Sequence, residues 1–271
     1  MYENYWQVET KPFESTSDER FYYPSEVHQG AMLKLRYAIE NRRGSALLTG
    51  ATGLGKTLMI QALANQLPRE YSPLVHLVFP QMPIDQLLAY IAGSLTGETM
   101  ASMPSTQQSL RRLERALDEN AETGGHAVIA IDEAHLLEEP TLETLRLLMN
   151  FHRDQQPLMT IMLVGQPSLL PSLDRMPDLD SRLGVKCLLR PFSSEDSMGY
   201  IQHRLMAAGA KNPIFDDSAL EAVHYFSHGN PRHINRLCDL ALLIGFAEEQ
   251  AGISAAQIEA VAEELSTVTP E

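Results

Sequence analysis

The chain has 271 residues, with 35 acidic and 21 basic side chains and a net charge of −14. Hydrophobic residues make up 44% and charged residues 21%, which excludes disordered, collagen-like and disulfide-framework classes. The two cysteines, Cys187 and Cys238, offer no framework and suit a reducing compartment.

At this length one or two domains are expected, with roughly 70–75% of the unfolded surface buried. The longest near-continuous apolar run, Leu240 to Ala247, is eight residues, against the ~20 that a spanning helix needs. The opening Met1-Tyr2-Glu3-Asn4-Tyr5-Trp6 lacks the basic and apolar regions of a signal peptide. The expectation is a soluble, cytoplasmic protein with no intrinsic membrane segment. Charge is uneven along the chain. Residues 1–60 are neutral overall, whereas residues 191–271 carry −8 of the total. That shift suggests a boundary near Arg190-Pro191, with domains at 1–190 and 191–271.

In chain order, residues 1–25 read as aromatic and irregular. From Ser25 the apolar spacing of Val27, Ala31, Leu35, Ala38 and Ile39 predicts a helix. Ser45–Thr49 is a short apolar strand ending in a glycine loop, and Gly55 to Leu67 is the helix behind it. Leu74–Phe79 and Ala127–Ile131 read as buried strands. Helices at Ile84–Leu95 and Ser105–Glu122 lie between them, the second with the capping-box spacing Ser105 to Gln108. Thr141–Arg153 is predicted as a helix, Leu158–Val164 as a strand and Val185–Leu189 as a fifth strand. Such alternation predicts a five-stranded parallel sheet covered on both faces. After Pro191 four helices follow, from about Ser193, Asp217, Pro231 and Ser254. The fold class is thus α/β, followed by a small all-helical domain.

Gly50-Ala51-Thr52-Gly53-Leu54-Gly55-Lys56-Thr57 matches G-x-x-x-x-G-K-[ST] at every fixed position, between a strand and a helix. Glycines let the backbone wrap a phosphate, and the following helix N-terminus adds partial positive charge. Lys56 is expected to reach the β- and γ-phosphates of ATP, and the Thr57 hydroxyl to ligate Mg²⁺. The nucleotide-contacting stretch runs from Gly50 through Leu58. A glycine-rich turn without a ligand is the bland alternative.

Ala127-Val128-Ile129-Ala130-Ile131-Asp132-Glu133 is an apolar strand ending in paired carboxylates. Asp132 suits holding Mg²⁺, directly or through water, and Glu133 suits polarising the attacking water of a hydrolase. Acidic solvation of a strand end is the competing reading. Asp132-Glu133-Ala134-His135 also spells the DEAH of a helicase class, but the mostly helical remainder leaves no room for a second domain of that kind. His135 is read as a polar residue at the start of the next helix.

These residues, together with Leu163-Val164-Gly165-Gln166-Pro167 and Gly229-Asn230-Pro231-Arg232, resemble the AAA+ ATPases, P-loop NTPases with a helical lid. Met1 to Trp6, Lys11-Pro12-Phe13 and Ser25-Glu26-Val27-His28 are more narrowly similar to the ExeA/GspA-type ATPases of general secretion. The TnsC/TniB-like transposition ATPases are close relatives. The resemblance implies that Gln166 is a sensor orienting water, and that Arg182 is an arginine finger acting in trans, with Arg175 as competitor. It implies that Arg232 senses the γ-phosphate from the lid, with Arg236 one turn on, and that Tyr22 to His28 walls the adenine. A turn glutamine, a surface salt bridge and core packing are the plainer readings of Gln166, Arg182 and the aromatic segment.

The resemblance further implies a homo-oligomeric ring or filament and a protein partner in a secretion or transposition system. DNA is possible along Lys34, Arg36, Arg42 and Arg43, or along Arg111, Arg112 and Arg115, unless these are solvated helix faces. The chain ends soon after the lid, where secretion members continue, and Leu58 replaces a second threonine common in relatives. His126, His135 and His152 lack metal-ligand spacing with the cysteines, so no structural zinc is expected. The function expected is Mg²⁺-dependent ATP hydrolysis coupled to assembly and partner remodelling. A transposition or recombination regulator and a slow nucleotide-gated switch are the alternatives.

Overall fold

Short apolar runs and helices, four of them with side-chain N-caps, build the described residues. A computed structural model describes residues 1–14, 18–97 and 104–267. The residues divide into two compact units, one of Val27–Thr52 and Lys56–Leu189, the other of Met1–Glu26, Gly53–Gly55 and Arg190–Glu271.

In the first of these units the elements alternate. Helix α2 (Glu26–Glu40; α1 lies in the other unit) leads to β1 (Ser45–Thr49), and α3 (Lys56–Gln66) to β2 (Leu74–Leu77). Helices α4 (Ile84–Thr96) and α5 (Thr106–Glu122) precede β3 (Ala127–Ile131), and α6 (Glu139–Leu148) follows it. The two-residue strands β4 (His152–Arg153) and β5 (Gln156–Pro157) pair antiparallel ahead of β6 (Met159–Gly165). The short helices α7 (Leu170–Asp174) and α8 (Pro177–Asp180) then lead to β7 (Val185–Leu188).

The five-stranded sheet is parallel in the order β2-β3-β6-β1-β7. Every residue of β1, β3 and β6 is buried, as expected of central strands covered on both faces. Because the strands are parallel, the loop after β1 and the residues after β3 and β6 emerge at one edge of the sheet.

Two sequence-based expectations are corrected in this unit. The predicted helix Thr141–Arg153 stops at Leu148, and His152–Arg153 instead pair with Gln156–Pro157 in a hairpin turned by Asp154 (φ 50°) and Gln155 (φ 66°). Strand β2 ends at Leu77, leaving Val78 and Phe79 exposed.

The other unit holds α9 (Ser194–Ala207), α10 (Asp217–Ser227), α11 (Pro231–Ala247) and α12 (Ala255–Thr267). Ser193, Asp216 and Asn230 cap the first three by accepting from the backbone N–H of Asp196, Ala219 and Arg232. Residues 1–26, expected with the α/β core, belong here, and the one-turn helix α1 (Glu3–Trp6) opens them. The cause is aromatic burial. Tyr2, Trp6, Phe13 and Phe21 fill the apolar side of the helices, and Trp6 Nε1 donates to Leu242 O at 2.9 Å. Among the described residues no helix is long and apolar enough to cross a membrane.

Candidate functional site: the loop after β1 and the carboxylates after β3

The loop between β1 and α3 needs its glycines. Gly53 (φ 86°) and Gly55 (φ 84°) occupy the left-handed region that glycine enters without steric cost. A Cβ on Gly53 would also lie 2.5 Å from Asn230 Oδ1 and 2.8 Å from the Arg232 Cβ. Gly50 N donates to Gly165 O at 3.2 Å, which ties the loop start to the end of β6. Leu54 is buried and anchors the loop, while Ala51 and Thr52 are exposed at its rim.

Lys56 is buried at the start of α3. Its Nζ donates to Gly50 O at 2.9 Å and Ala51 O at 3.1 Å. The ammonium thus caps the loop from within, where an incoming anion can draw it off the carbonyls. Thr57, the next residue, donates its hydroxyl to Asp132 Oδ2 at 2.6 Å. Leu58 follows on α3 and is half-buried.

Asp132 is buried at the end of β3. Burial pushes its carboxyl up, but the neighbouring His76, the Thr57 hydroxyl and the Glu133 N–H together hold it below the ordinary carboxylate range. Asp132 Oδ1 accepts from Glu133 N at 2.9 Å. Glu133 is unusual for a non-glycine residue in having φ 52° and ψ 32°. This conformation costs of order 1 kcal/mol and marks residues whose side chains are aimed by their surroundings. The Glu133 carboxylate is 42% exposed and faces His135 Nδ1 at 3.3 Å.

His135 lies in the short 3-10 helix Ala134–Leu136, and its Nδ1 also accepts from Gln166 N at 3.4 Å. A ring nitrogen cannot donate to Glu133 and accept from Gln166 at once, so only one of the two contacts is a hydrogen bond for a given tautomer. Gly165 permits this approach, since its Cβ would lie 3.1 Å from His135 N.

The expected site residues separate into those that meet and those that do not. Lys56, Thr57, Asp132, Glu133 and Gln166 gather where the loop and the ends of β3 and β6 emerge. Arg232 is exposed at the start of α11, and its Cβ lies beside Gly53. Arg182 does not reach this edge. It precedes β7, is exposed, and donates to Asn150 Oδ1 at 2.7 Å. Arg175 donates to Ser172 Oγ at 3.2 Å and lines a cleft of 440 Å³ with Glu139, Glu143 and Asp178. Arg236 is exposed on α11. In the aromatic segment, Tyr23 packs edge-on to Phe192 and Tyr200, while His28 is buried.

Of the basic clusters, Arg36 has an acidic partner four residues on, Glu40 at 2.9 Å. Arg43 donates to Tyr37 OH, Arg42 to Gln156 Oε1 and Arg112 to Thr96 Oγ1, while Arg111 and Arg115 are exposed.

Two further residues had no role assigned from the sequence. Asn230 meets the loop tip at Gly53 and is signalled only by its place before Pro231. His76, on β2, places Nε2 3.5 Å from Asp132 Oδ2.

A family model described as AAA domain matches residues 39–173. General secretion pathway protein A of Aeromonas hydrophila is 34% identical over 276 residues, covering 100% of this chain and 50% of that protein. The chain belongs to the AAA family. It spans about half the length of that curated relative.

Solved structures agree on the AAA fold. The ORC2 protein of Aeropyrum pernix matches with a TM-score of 0.72 at 16% identity, over 97% of this chain and 73% of that one. The RuvB Holliday junction branch migration motor of Thermotoga maritima matches with a TM-score of 0.59 at 22% identity, over 88% of this chain and 69% of that one. Such low identities carry the fold alone.

Proposed function

We propose that this AAA chain binds ATP with Mg²⁺ and hydrolyses it, using the nucleotide state to control assembly and remodelling of partners. The observation that carries the proposal is the 2.6 Å bond from Thr57 to Asp132, which joins the phosphate-loop residues to the carboxylate pair. The chain's donor set fits a hard divalent cation: a hydroxyl oxygen and a buried carboxylate held ionised. The loop fits a phosphate, since Gly53 and Gly55 hold the left-handed backbone that lets successive N–H groups turn toward one anion.

On this reading Thr57 and Asp132 hold Mg²⁺, and Gly50 to Leu58 cradle the phosphates. Lys56 leaves the Gly50 and Ala51 carbonyls for the β- and γ-phosphates. Bound Mg²⁺ supplies charge neutralisation on the phosphoryl oxygens. Glu133 accepts a proton from, and orients, the attacking water, while Gln166 positions it and Arg232 senses the γ-phosphate. The αL backbone of Glu133 supports this role by fixing where its carboxylate leaves the strand end.

Arg182 is proposed as a finger in trans. Its place before β7, at the opposite strand end from the loop after β1, supports action on a neighbouring copy in a ring or filament. A protein partner of a secretion system is the reading favoured by the likeness to General secretion pathway protein A. A DNA partner in transposition or recombination is the second reading, favoured by Arg111 and Arg115, exposed four residues apart on α5.

The test is binding and turnover of ATP with and without Mg²⁺, followed by mixing of Lys56→Ala with Arg182→Ala chains. The mixture is expected to recover hydrolysis that neither variant has alone. Absence of recovery in mixtures shown to co-assemble overturns the finger. Salt-sensitive, ATP-dependent retention on duplex DNA that is lost in Arg111→Glu/Arg115→Glu selects the second reading.

A further inference from the structure

His76 is a buried-edge histidine that the hydrolysis scheme above does not use. In the parallel pairing of β2 with β3 it lies opposite Ala130, and Asp132 follows two residues later. Residues two apart on a strand share a face, so this register sends the imidazole and the Asp132 carboxylate to the same side of the sheet. The His76 side chain is 18% exposed, but its Nε2 is buried and has no hydrogen-bond partner among the described residues. The Asp132 Oδ2 atom is 3.5 Å away.

A buried polar atom without a partner calls for an explanation, since native structures satisfy nearly all such atoms. Asp132 has spare acceptor capacity. One bond from Glu133 N reaches Oδ1 and one from Thr57 Oγ1 reaches Oδ2, whereas an ionised carboxylate offers about four lone-pair sites. As an Nε2–H tautomer, His76 therefore faces an acceptor with a spare lone pair from slightly beyond normal hydrogen-bond length.

We infer that His76 is a positioning residue for the divalent cation: its Nε2–H closes onto Asp132 Oδ2 and fixes the carboxylate when nucleotide and Mg²⁺ bind. The inference rests on the proposed nucleotide site and adds a residue to it. Groups that hydrogen-bond to a metal-ligating carboxylate set its orientation, and their loss typically costs about 10–100-fold in metal affinity.

The experiment titrates Mg²⁺ into the chain saturated with a non-hydrolysable ATP analogue, reading the rise in unfolding temperature. His76→Leu is expected to raise the half-saturating Mg²⁺ about tenfold, with analogue binding in the absence of Mg²⁺ unchanged. His76→Gln, which keeps an N–H donor near the Nε2 position, is expected to restore it to within about twofold of the natural chain. Equal Mg²⁺ requirements for His76→Leu and the natural chain overturn the inference, as does a His76→Gln variant no better than His76→Leu.

A second readout needs only the folded natural chain. The His76 Nε2–H resonance, assigned by its absence from His76→Gln, is expected to become protected from solvent exchange on addition of analogue and Mg²⁺; no change overturns the inference. With Mn²⁺ in place of Mg²⁺, a nitrogen coupling on the metal that vanishes in His76→Gln makes the imidazole a direct ligand and also overturns it. If the natural chain binds no analogue at all, the proposed nucleotide function fails, an outcome separate from failure of the His76 variants alone.

Discussion

Thr57, the second residue of α3, donates its hydroxyl to Asp132 at the end of β3 across 2.6 Å. This bond ties the loop after β1 to the carboxylate pair and helps keep a buried acid ionised.

Removing it should have two effects. Thr57→Ala leaves Asp132 with one donor fewer, costing roughly 1–3 kcal/mol of stability, and weakens Mg²⁺-dependent nucleotide binding by about tenfold or more. Thr57→Ser keeps the hydroxyl and should retain both. Calorimetric titration of nucleotide with and without Mg²⁺ checks this, and equal affinities for the alanine and serine variants would contradict it.

Gly53 is constrained twice, by φ 86° and by the approach of Asn230 and Arg232. Gly53→Ala should destabilise by about 1–2 kcal/mol through backbone strain alone and lower nucleotide affinity by distorting the loop. Gly30, beside which an added Cβ meets nothing among the described residues within 4 Å, is the control. Gly30→Ala on α2 should be neutral or slightly stabilising in denaturant unfolding.

His126 links stability to pH. Burial, and then the Arg42 charge, lower its pKa from 6.5 to about 4, and its Nε2 lies 2.8 Å from Thr160 Oγ1. The unfolded chain takes up this proton first, so the contribution of neutral His126 is complete above pH 6.5 and is lost as pH falls toward 4. The loss amounts to roughly 3 kcal/mol. His126→Gln should flatten that part of the stability–pH curve, measured by urea unfolding between about pH 4 and 7.

Arg204 holds the N-terminal segment. Its guanidinium is buried and donates to Pro12 O at 2.5 Å, Glu14 O at 2.7 Å and Tyr200 OH at 2.9 Å, with the Phe21 ring 4.9 Å away. Arg204→Ala strands two carbonyls and should cost about 3 kcal/mol or more. Limited proteolysis should then cut first within residues 1–26, and an unchanged cleavage pattern would contradict the clamp.

Much of the fold was legible because its signals are local. Ser45–Thr49 and Ala127–Ile131 are uninterrupted apolar runs with turn residues behind them, and the structure gives both strands those bounds. Ser105 and Gln108 form the capping box that their spacing implied. The loop Gly50 to Thr57 and the Asp132-Glu133 pair are contiguous, so sequence alone brought them forward.

What stayed hidden depends on pairing across the chain. His76 meets Asp132 only through the register of β2 on β3, which no local pattern encodes. The packing of Tyr2 and Trp6 on the C-terminal helices joins residues more than 230 positions apart. Asp154 and Gln155 turn a hairpin in left-handed conformations that asparagine or glycine would have advertised.

The most direct test of the central claim is the turnover of Glu133→Gln beside that of the natural chain, with ATP binding measured on both. Equal Mg²⁺–ATP affinity is predicted, with a fall in hydrolysis of about 10²–10⁴-fold, the contribution typical of a positioned general base. Hydrolysis by Glu133→Gln at the natural rate would contradict the assignment of Glu133 as the base.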